Sequence, residues 1–172
     1  MKIIEALKHL KRLKIKADDL KEKVNRHCAH SSIEQAEYGD KQREKIREWI
    51  DSYHDTVKEI LRLRVAIQKT NIQTPVSIEI HGKGVTRTIA EWIHRRRDLA
   101  AMDLDLWKKV NDNHVQTGAL KPSRQDGDPI EVKSIKYYDP EIRDKKISEY
   151  REEPSIIDAT LEIVNATTDI TQ

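Results

Sequence analysis

The sequence has no phenylalanine and a single cysteine, Cys28, and its aromatic residues amount to 5% of the chain. A lone cysteine excludes a framework of intrachain disulfides. Charged residues make up 36% of the chain and hydrophobic residues only 37%, which leaves little side-chain volume for a globular core. We therefore expect long helices that share their core with other subunits.

Long apolar runs and a strong net charge are also missing. No apolar run approaches the roughly 20 residues that a membrane-spanning helix needs. Lysine and arginine total 32 against 30 for aspartate and glutamate, and a formal charge of +2 does not indicate a protein that coats nucleic acid. Because no secretory signal is visible at the first residues, we expect a cytoplasmic protein without a membrane partner.

Charge is nevertheless distributed unevenly along the chain. Residues 1–28 are clearly basic and residues 149–172 are mostly acidic, so the two ends could pair within or between subunits. The lysines of the first segment favour a solvated helix face. A face for nucleic acid or an anionic membrane is the alternative.

Two stretches in the first 71 residues have the spacing of coiled-coil seams. Alternating steps of three and four residues are typical of a helix that packs one stripe against another helix. A polar connection over residues 31–40 separates them, which predicts an antiparallel helical hairpin over residues 1–71. The first seam consists of Ile3, Ala6, Leu10, Leu13, Ala17, Leu20, Val24 and His27, and the second of Ile46, Ile50, Tyr53, Val57, Ile60, Arg64, Ile67 and Asn71.

After Pro75 the apolar period changes to two. Val76, Ile78 and Ile80 alternate with polar residues, and a glycine-containing turn at 82–84 follows. This pattern predicts a β-hairpin over residues 76–87. An isolated two-stranded ribbon is marginal in water, so it should pack on a helix or pair with another strand.

The clearest helix start stands just before the densest positive charge. Thr88 is a natural N-cap residue with Glu91 three residues later, and helical apolar spacing predicts a central helix over residues 88–113. Successive residues point about 100° apart, so at least one arginine of the 94–97 run must lie on or beside the apolar face. That guanidinium needs either an acidic partner or an anionic ligand.

The rest of the chain completes the predicted architecture. A polar loop is expected over residues 114–129, an irregular strand over 130–138, and C-terminal helices over 140–166 that Pro154 kinks or restarts. The fold class predicted for residues 1–172 is a single elongated, mainly α domain. It combines a coiled-coil-like hairpin of long antiparallel helices with a small β-ribbon, in an oligomeric bundle.

The arginine-rich segment is the best candidate for an anion site. Arginine forks match phosphate oxygens in bidentate fashion, and aromatic rings stack on bases. The alternative is that Arg96 and Arg97 pair with Asp98, Glu91 or another subunit's acids. The candidate ligand residues are Arg87, His94, Arg95, Arg96, Arg97, Lys83, His81, Trp92 and Tyr137.

Metal binding and catalysis have weaker signals. His27, Cys28, His30 and Glu34 are transition-metal donors, but no second Cys/His pair follows at finger spacing, so no metal site is expected. No carboxylate stands in a recognisable constellation with a nucleophile, and 82–84 is too short for a phosphate-binding loop. We expect no enzyme activity and no cofactor.

Four segments resemble the septicolysin-like family of small uncharacterised helical proteins from bacteria and their phages. They are MKIIEALKHLKRLK at 1–14, KTNIQTPV at 69–76, TIAEWIHRRRDL at 88–99 and SIIDATLEIVNATTDI at 155–170. The resemblance implies long helices, a small β-ribbon and assembly into oligomers, of which a hexamer is one example. The family name suggests a pore-forming toxin, but the sequence has no membrane-length apolar helix and no obvious barrel strands.

These observations lead to one functional hypothesis and one main alternative. The hypothesis is a homo-oligomer that binds a phosphate-bearing small molecule of nucleotide type at a subunit interface. Because the resembling family includes phage members, sequestration of a host defence signal is its concrete form. The alternative is a structural or protein-interaction oligomer without a small ligand.

Overall fold

The computed structural model describes residues 1–120 and 128–171, and within them the chain is mainly helical with two small antiparallel ribbons. The predicted fold class is thus confirmed at the level of a mainly α chain with a small β component. In order, the elements are α1 (Ile3–His27), a single 3₁₀ turn (Gly39–Lys41), α2 (Gln42–Gln73), β1 (Pro75–Ile80), β2 (Lys83–Thr88), α3 (Ile89–His94), a π-helical segment (Arg95–Leu99), α4 (Ala100–Lys109), β3 (Gly118–Leu120), β4 (Ile130–Val132) and α5 (Pro140–Thr167).

The chain divides into two compact units. The hairpin unit comprises Met1–Val76, Thr86–Ala90 and Thr160–Gln172, and the arginine unit comprises Ser77–Val85 and Glu91–Ala159. In the hairpin unit α1 and α2 pack antiparallel, with His27 beside Trp49 at one end and Ala6 in one core cluster with Ile67 at the other. The antiparallel hairpin is therefore present as predicted.

The seam of α1 has the predicted register. Ile3, Ala6, Leu13, Ala17 and Leu20 are buried, as their spacing of three and four residues requires for one face of a helix. Leu10 packs against the core cluster from its edge.

The seam of α2 is shifted by about one residue from the prediction. Thr56, Leu63 and Thr70 are buried, whereas Val57 and Arg64, which were expected inside, are exposed. The buried threonines are satisfied locally, because the Thr56 hydroxyl donates to the Ser52 carbonyl at 2.7 Å and the Thr70 hydroxyl donates to the Ala66 carbonyl at 2.9 Å. A hydroxyl bonded to its own helix is buried at little cost, so a threonine outcompetes valine here.

The basic start and the acidic end of the chain meet within the hairpin unit. The Ile3 amide donates to the Thr168 carbonyl and the Ile170 amide donates to the Met1 carbonyl, both at 2.9 Å. Lys2 Nζ lies 2.6 Å from Asp169 Oδ2. The expected pairing of the two ends thus occurs within one chain.

The predicted β-hairpin is confirmed, with its turn at residues 81–82 rather than 82–84. His81 and Gly82 have φ of +52° and +73° and connect β1 to β2. Two successive residues with positive φ are typical of the type I′ turns that join antiparallel strands. Histidine is among the non-glycine residues that tolerate this left-handed region.

Three predictions for the C-terminal half need correction. The central helix ends at Lys109 rather than near residue 113, and the predicted loop contains β3, which pairs antiparallel with the short β4 from Gly118 opposite Val132 to Leu120 opposite Ile130. Residues 121–127 of that loop lie outside the described residues. The C-terminal helices are one helix, α5, with Pro154 inside it. Across residues 1–120 and 128–171, no helix is both long and apolar enough to cross a membrane.

Candidate functional site at the arginine run

The arginine run coincides with an irregularity in the central helix. Arg95–Leu99 is π-helical, and the Ala100 amide donates to the Arg95 carbonyl across one residue more than in an α-helix. A wider turn re-aims the side chains around it, and π-helical turns occur frequently at functional sites. The segment therefore decides where each arginine points.

Arg95 points into the arginine unit and is fully engaged by carboxylates. Its Nε and Nη2 donate to the two oxygens of Glu153, the second at 3.0 Å, and its Nη1 donates to Asp103 at 2.5 Å. Glu153 is only 2% exposed. This two-point pair, with Asp103 adding to it, raises the pKa of the Arg95 guanidinium above its ordinary value. Arg95 thus has the acidic partners that its inward position requires.

An aromatic and a histidine ring complete this cluster. The Arg95 guanidinium carbon lies 5.5 Å from the centre of the Tyr150 ring, and His81 contacts the same ring edge-on at 5.4 Å. His81 Nδ1 is 3.8 Å from Glu149 and its Nε2 is 3.8 Å from Glu153. These distances are too long for hydrogen bonds, so the imidazole lies between two carboxylates and is positioned by packing.

Beside His81 lies an open groove of about 510 Å³ whose lining contains three glutamates and one lysine. Lys146 Nζ donates to Glu149 at 2.7 Å, and this bond holds the pKa of Glu149 below its ordinary value. The lining residues are Glu79, His81, Gly82, Lys145, Ser148, Glu149, Glu152 and Ile156. A groove of this charge disfavours a phosphate.

Arg96 and Arg97 point outward and carry looser pairs. Arg96 Nη1 donates to Asp158, and both side chains are substantially exposed. Arg97 is 62% exposed, lies 3.5 Å from Asp98 and contacts His94 Nδ1 at 3.1 Å. The pairing of Arg97 with Asp98 is the one that the sequence offered as an alternative to a ligand. Asp158 was not foreseen as a partner of Arg96.

The remaining candidate ligand residues differ in exposure. Trp92 is 1% exposed, so its ring packs in the interior and has no face on which a base could stack. Tyr137 is 95% exposed and Lys83 is exposed at the start of β2. Arg87 is an exposed residue of the hairpin unit.

Sequence reasoning missed the acidic half of the cluster. Glu149 and Glu153 stand four residues apart on α5 and thus share a helix face, and Asp103 follows Arg95 by eight residues, about two helical turns. These spacings were visible signals. Which element would face the arginines was not, because that depends on packing between elements distant in sequence.

The His27 ring packs against two aromatic rings. The His27 ring lies 5.7 Å from that of Tyr38 and 5.4 Å from that of Trp49, and Cys28 is exposed. No group of three or more His, Cys, Asp or Glu residues able to hold a metal occurs in the part of the chain that the structure describes.

Comparisons with other proteins extend over nearly the whole chain. The crystal structure of a functionally unknown conserved protein from Corynebacterium diphtheriae has a TM-score of 0.57 and 19% identity, with 99% of each chain covered. At this identity the likeness shows the fold alone. Among curated proteins none matches this chain. Residues 10–170 match the profile of a family of unknown function, DUF6847, and the chain therefore belongs to that family.

Proposed function

We propose that this protein is a non-enzymatic helical protein that works as a homo-oligomer, assembling through the outward face of α2. The observation that carries the proposal is a stripe of large apolar side chains left uncovered on that helix. The stripe consists of Ile50, Val57, Leu61, Val65 and Ile72, which are 39% to 64% exposed. We refer to it as the α2 stripe.

The stripe follows from the register of α2. The face that packs on α1 contains Thr56, Ile60, Leu63 and Ile67, so the residues that follow each of them point about 100° away from α1. Val57 and Leu61 stand at such positions. An apolar stripe of this length on a charged helix is typical of a surface that another helix covers.

The arginine cluster supports the same function, because its arginines already have carboxylate partners. Arg95 is committed to Glu153 and Asp103, and Arg96 and Arg97 each have a carboxylate within their own unit. The Arg95 pairs bind the π-helical segment to α4 and α5 and leave that guanidinium no free donor edge for a ligand, so the geometry supports assembly better than ligand capture.

Two matched variants test the proposal. Leu61 in the stripe and Leu106 in α4 are equally exposed, at 62% and 61%. Leu61→Glu places a charge in the proposed contact and should dissociate the oligomer in sedimentation velocity, whereas Leu106→Glu should leave it intact. Equal behaviour of the two variants would contradict assembly through α2.

The second candidate function is binding of a phosphate-bearing small molecule, with sequestration of a nucleotide signal as its concrete form. The π-helical segment favours it, because such turns are rare and occur frequently at functional sites. Arg96 and Arg97 are the arginines that could serve, since their present partners are exposed and easily displaced.

Calorimetry with a panel of adenine and guanine nucleotides tests this candidate. Replacing both Arg96 and Arg97 with Ala should lower affinity by a hundredfold or more, because each charge-assisted hydrogen bond contributes roughly 1.5–3 kcal/mol. Lysine at both positions should restore only part of it, since the planar fork is lost. Arg151→Ala, an exposed arginine of α5, is the matched control. No heat with any nucleotide would remove this candidate.

A further inference from the structure

We infer that two copies of this protein pair α2 against α2 in antiparallel orientation, with the two Leu61 side chains meeting on a two-fold axis. The inference rests on the proposed function and specifies the geometry of the contact. It starts from an internal symmetry of the α2 stripe that no packing within the chain requires.

The stripe is the same when read in either direction along the helix. Val57 and Val65 each lie four residues from Leu61, and Ile50 and Ile72 each lie eleven residues from it. The exposed polar residues of the same face, His54 and Gln68, each lie seven residues from Leu61.

A two-fold interface is isologous, which means that if residue i meets residue j, then j meets i. Antiparallel pairing about Leu61 places each stripe residue opposite its symmetric counterpart. Ile50 then meets the second copy's Ile72, Val57 meets its Val65, and Leu61 meets its Leu61. His54 meets the second copy's Gln68, so polar groups face polar groups. Parallel pairing would place His54 opposite His54 and Gln68 opposite Gln68. Every residue would then meet its own copy, so parallel pairing does not require the stripe to be symmetric about Leu61.

Charges on the flank of the stripe favour the same arrangement. Asp51, Asp55 and Lys69 lie on one side of the stripe by helical geometry. Rotation about Leu61 brings Lys69 level with position 53 of the second copy, between that copy's Asp51 and Asp55. Each interface therefore contains two such opposite-charge contacts.

Arg62 and Lys58 give the opposing contribution. Both are exposed, lie on the same flank near the axis and come level with basic residues of the second copy, although Lys58 also pairs with Asp55 of its own chain at 3.1 Å. Salt screens this repulsion and the Lys69 contacts alike, and it does not weaken the apolar layers. The pairing should therefore survive at high ionic strength.

Cross-linking of single-cysteine variants tests the geometry directly. In a Cys28→Ser background, Leu61→Cys should give a covalent dimer with a short bismaleimide, because the two positions meet on the axis. Ile72→Cys is the matched control: in the antiparallel pair its two copies lie at opposite ends of the stripe, roughly 33 Å apart. It should not link to itself, but it should link when mixed with Ile50→Cys, which also leaves Leu61 intact.

Each result decides something. Self-linking of Ile72→Cys would show parallel pairing and overturn the inference. Failure of both the Leu61→Cys link and the mixed link would also overturn it. If light scattering then still finds an oligomer, only the antiparallel geometry is wrong and the proposed assembly function stands. If it finds a monomer, both are wrong.

Discussion

Arg95 and Glu153 form a two-point ion pair in which the carboxylate is almost completely buried. The pair joins the π-helical segment to α5, and Asp103 adds a second carboxylate to the same guanidinium. A buried charge of this kind needs its partner, because the loss of one member leaves the other desolvated and unpaired. The arginine run thus contains an element that holds the arginine unit together.

We predict that Glu153→Gln destabilises the protein by about 3 kcal/mol, because removing one member of a buried ion pair costs roughly 3–5 kcal/mol and Arg95 keeps Asp103. Urea unfolding followed by circular dichroism measures the change. Glu152→Gln, an exposed neighbour, should stay within about 0.5 kcal/mol of the parent. Equal stability of the two variants would show that the pair contributes nothing.

The register of α2 is tested at two adjacent positions. Leu63→Ala should cost roughly 2–5 kcal/mol because it empties space in the hairpin core, whereas Arg64→Ala should cost less than about 0.5 kcal/mol because the side chain is exposed. Urea unfolding again gives both values. The register that the sequence pattern predicted would require the larger loss at Arg64.

The geometry of the turn between β1 and β2 predicts different stability effects for alanine at two glycines. A Cβ added to either Gly82 or Gly84 meets no other atom within 4 Å, but only Gly82 has a positive φ, of +73°. Gly82→Ala should therefore cost about 1 kcal/mol of backbone strain, while Gly84→Ala should be neutral or slightly stabilising. Thermal unfolding of the two variants checks this, and a larger loss for Gly84→Ala would refute the turn geometry.

The closure of the chain ends should depend on pH. The hydrogen bond from Lys2 holds the pKa of Asp169 below its ordinary value of 3.8. A carboxylate with a lowered pKa in the folded state stabilises the protein above its ordinary pKa and loses that contribution as pH falls through the folded value.

The stability difference between the parent and Asp169→Asn should thus be largest near neutral pH and shrink below about pH 4. Added salt should also shrink it, since the pair is exposed. Urea unfolding at several pH values measures the difference. A difference that stays constant down to pH 2 would show that Asp169 does not act through its charge.

Much of the fold could be predicted from the sequence because its strongest signals are local. The α1 seam depends only on spacing from Ile3 to Val24, and the β-hairpin depends on a change of period after Pro75. The register of α2 could not be predicted from apolar spacing alone. Hydrophobicity favours Val57 over Thr56, and only the hydroxyl bond to Ser52 removes the cost of burying the threonine.

Only the arginines of the candidate site could be predicted from the sequence, because their acidic partners are distant along the chain. The sequence identified Arg95 and its neighbours, and it required an acidic partner or a ligand for the inward member. Glu153 lies 58 residues away, so the choice between the two depended on a tertiary contact. The symmetry of the stripe around Leu61, in contrast, is present in the sequence and became meaningful once α2 was known to leave that face uncovered.

The molar mass of the unmodified protein in solution tests the central claim most directly. Multi-angle light scattering over a dilution series should give at least twice the chain mass of 20.1 kDa at the higher concentrations, because the α2 stripe is covered by a second copy. A mass of 20.1 kDa at every concentration from micromolar upward would contradict assembly through α2.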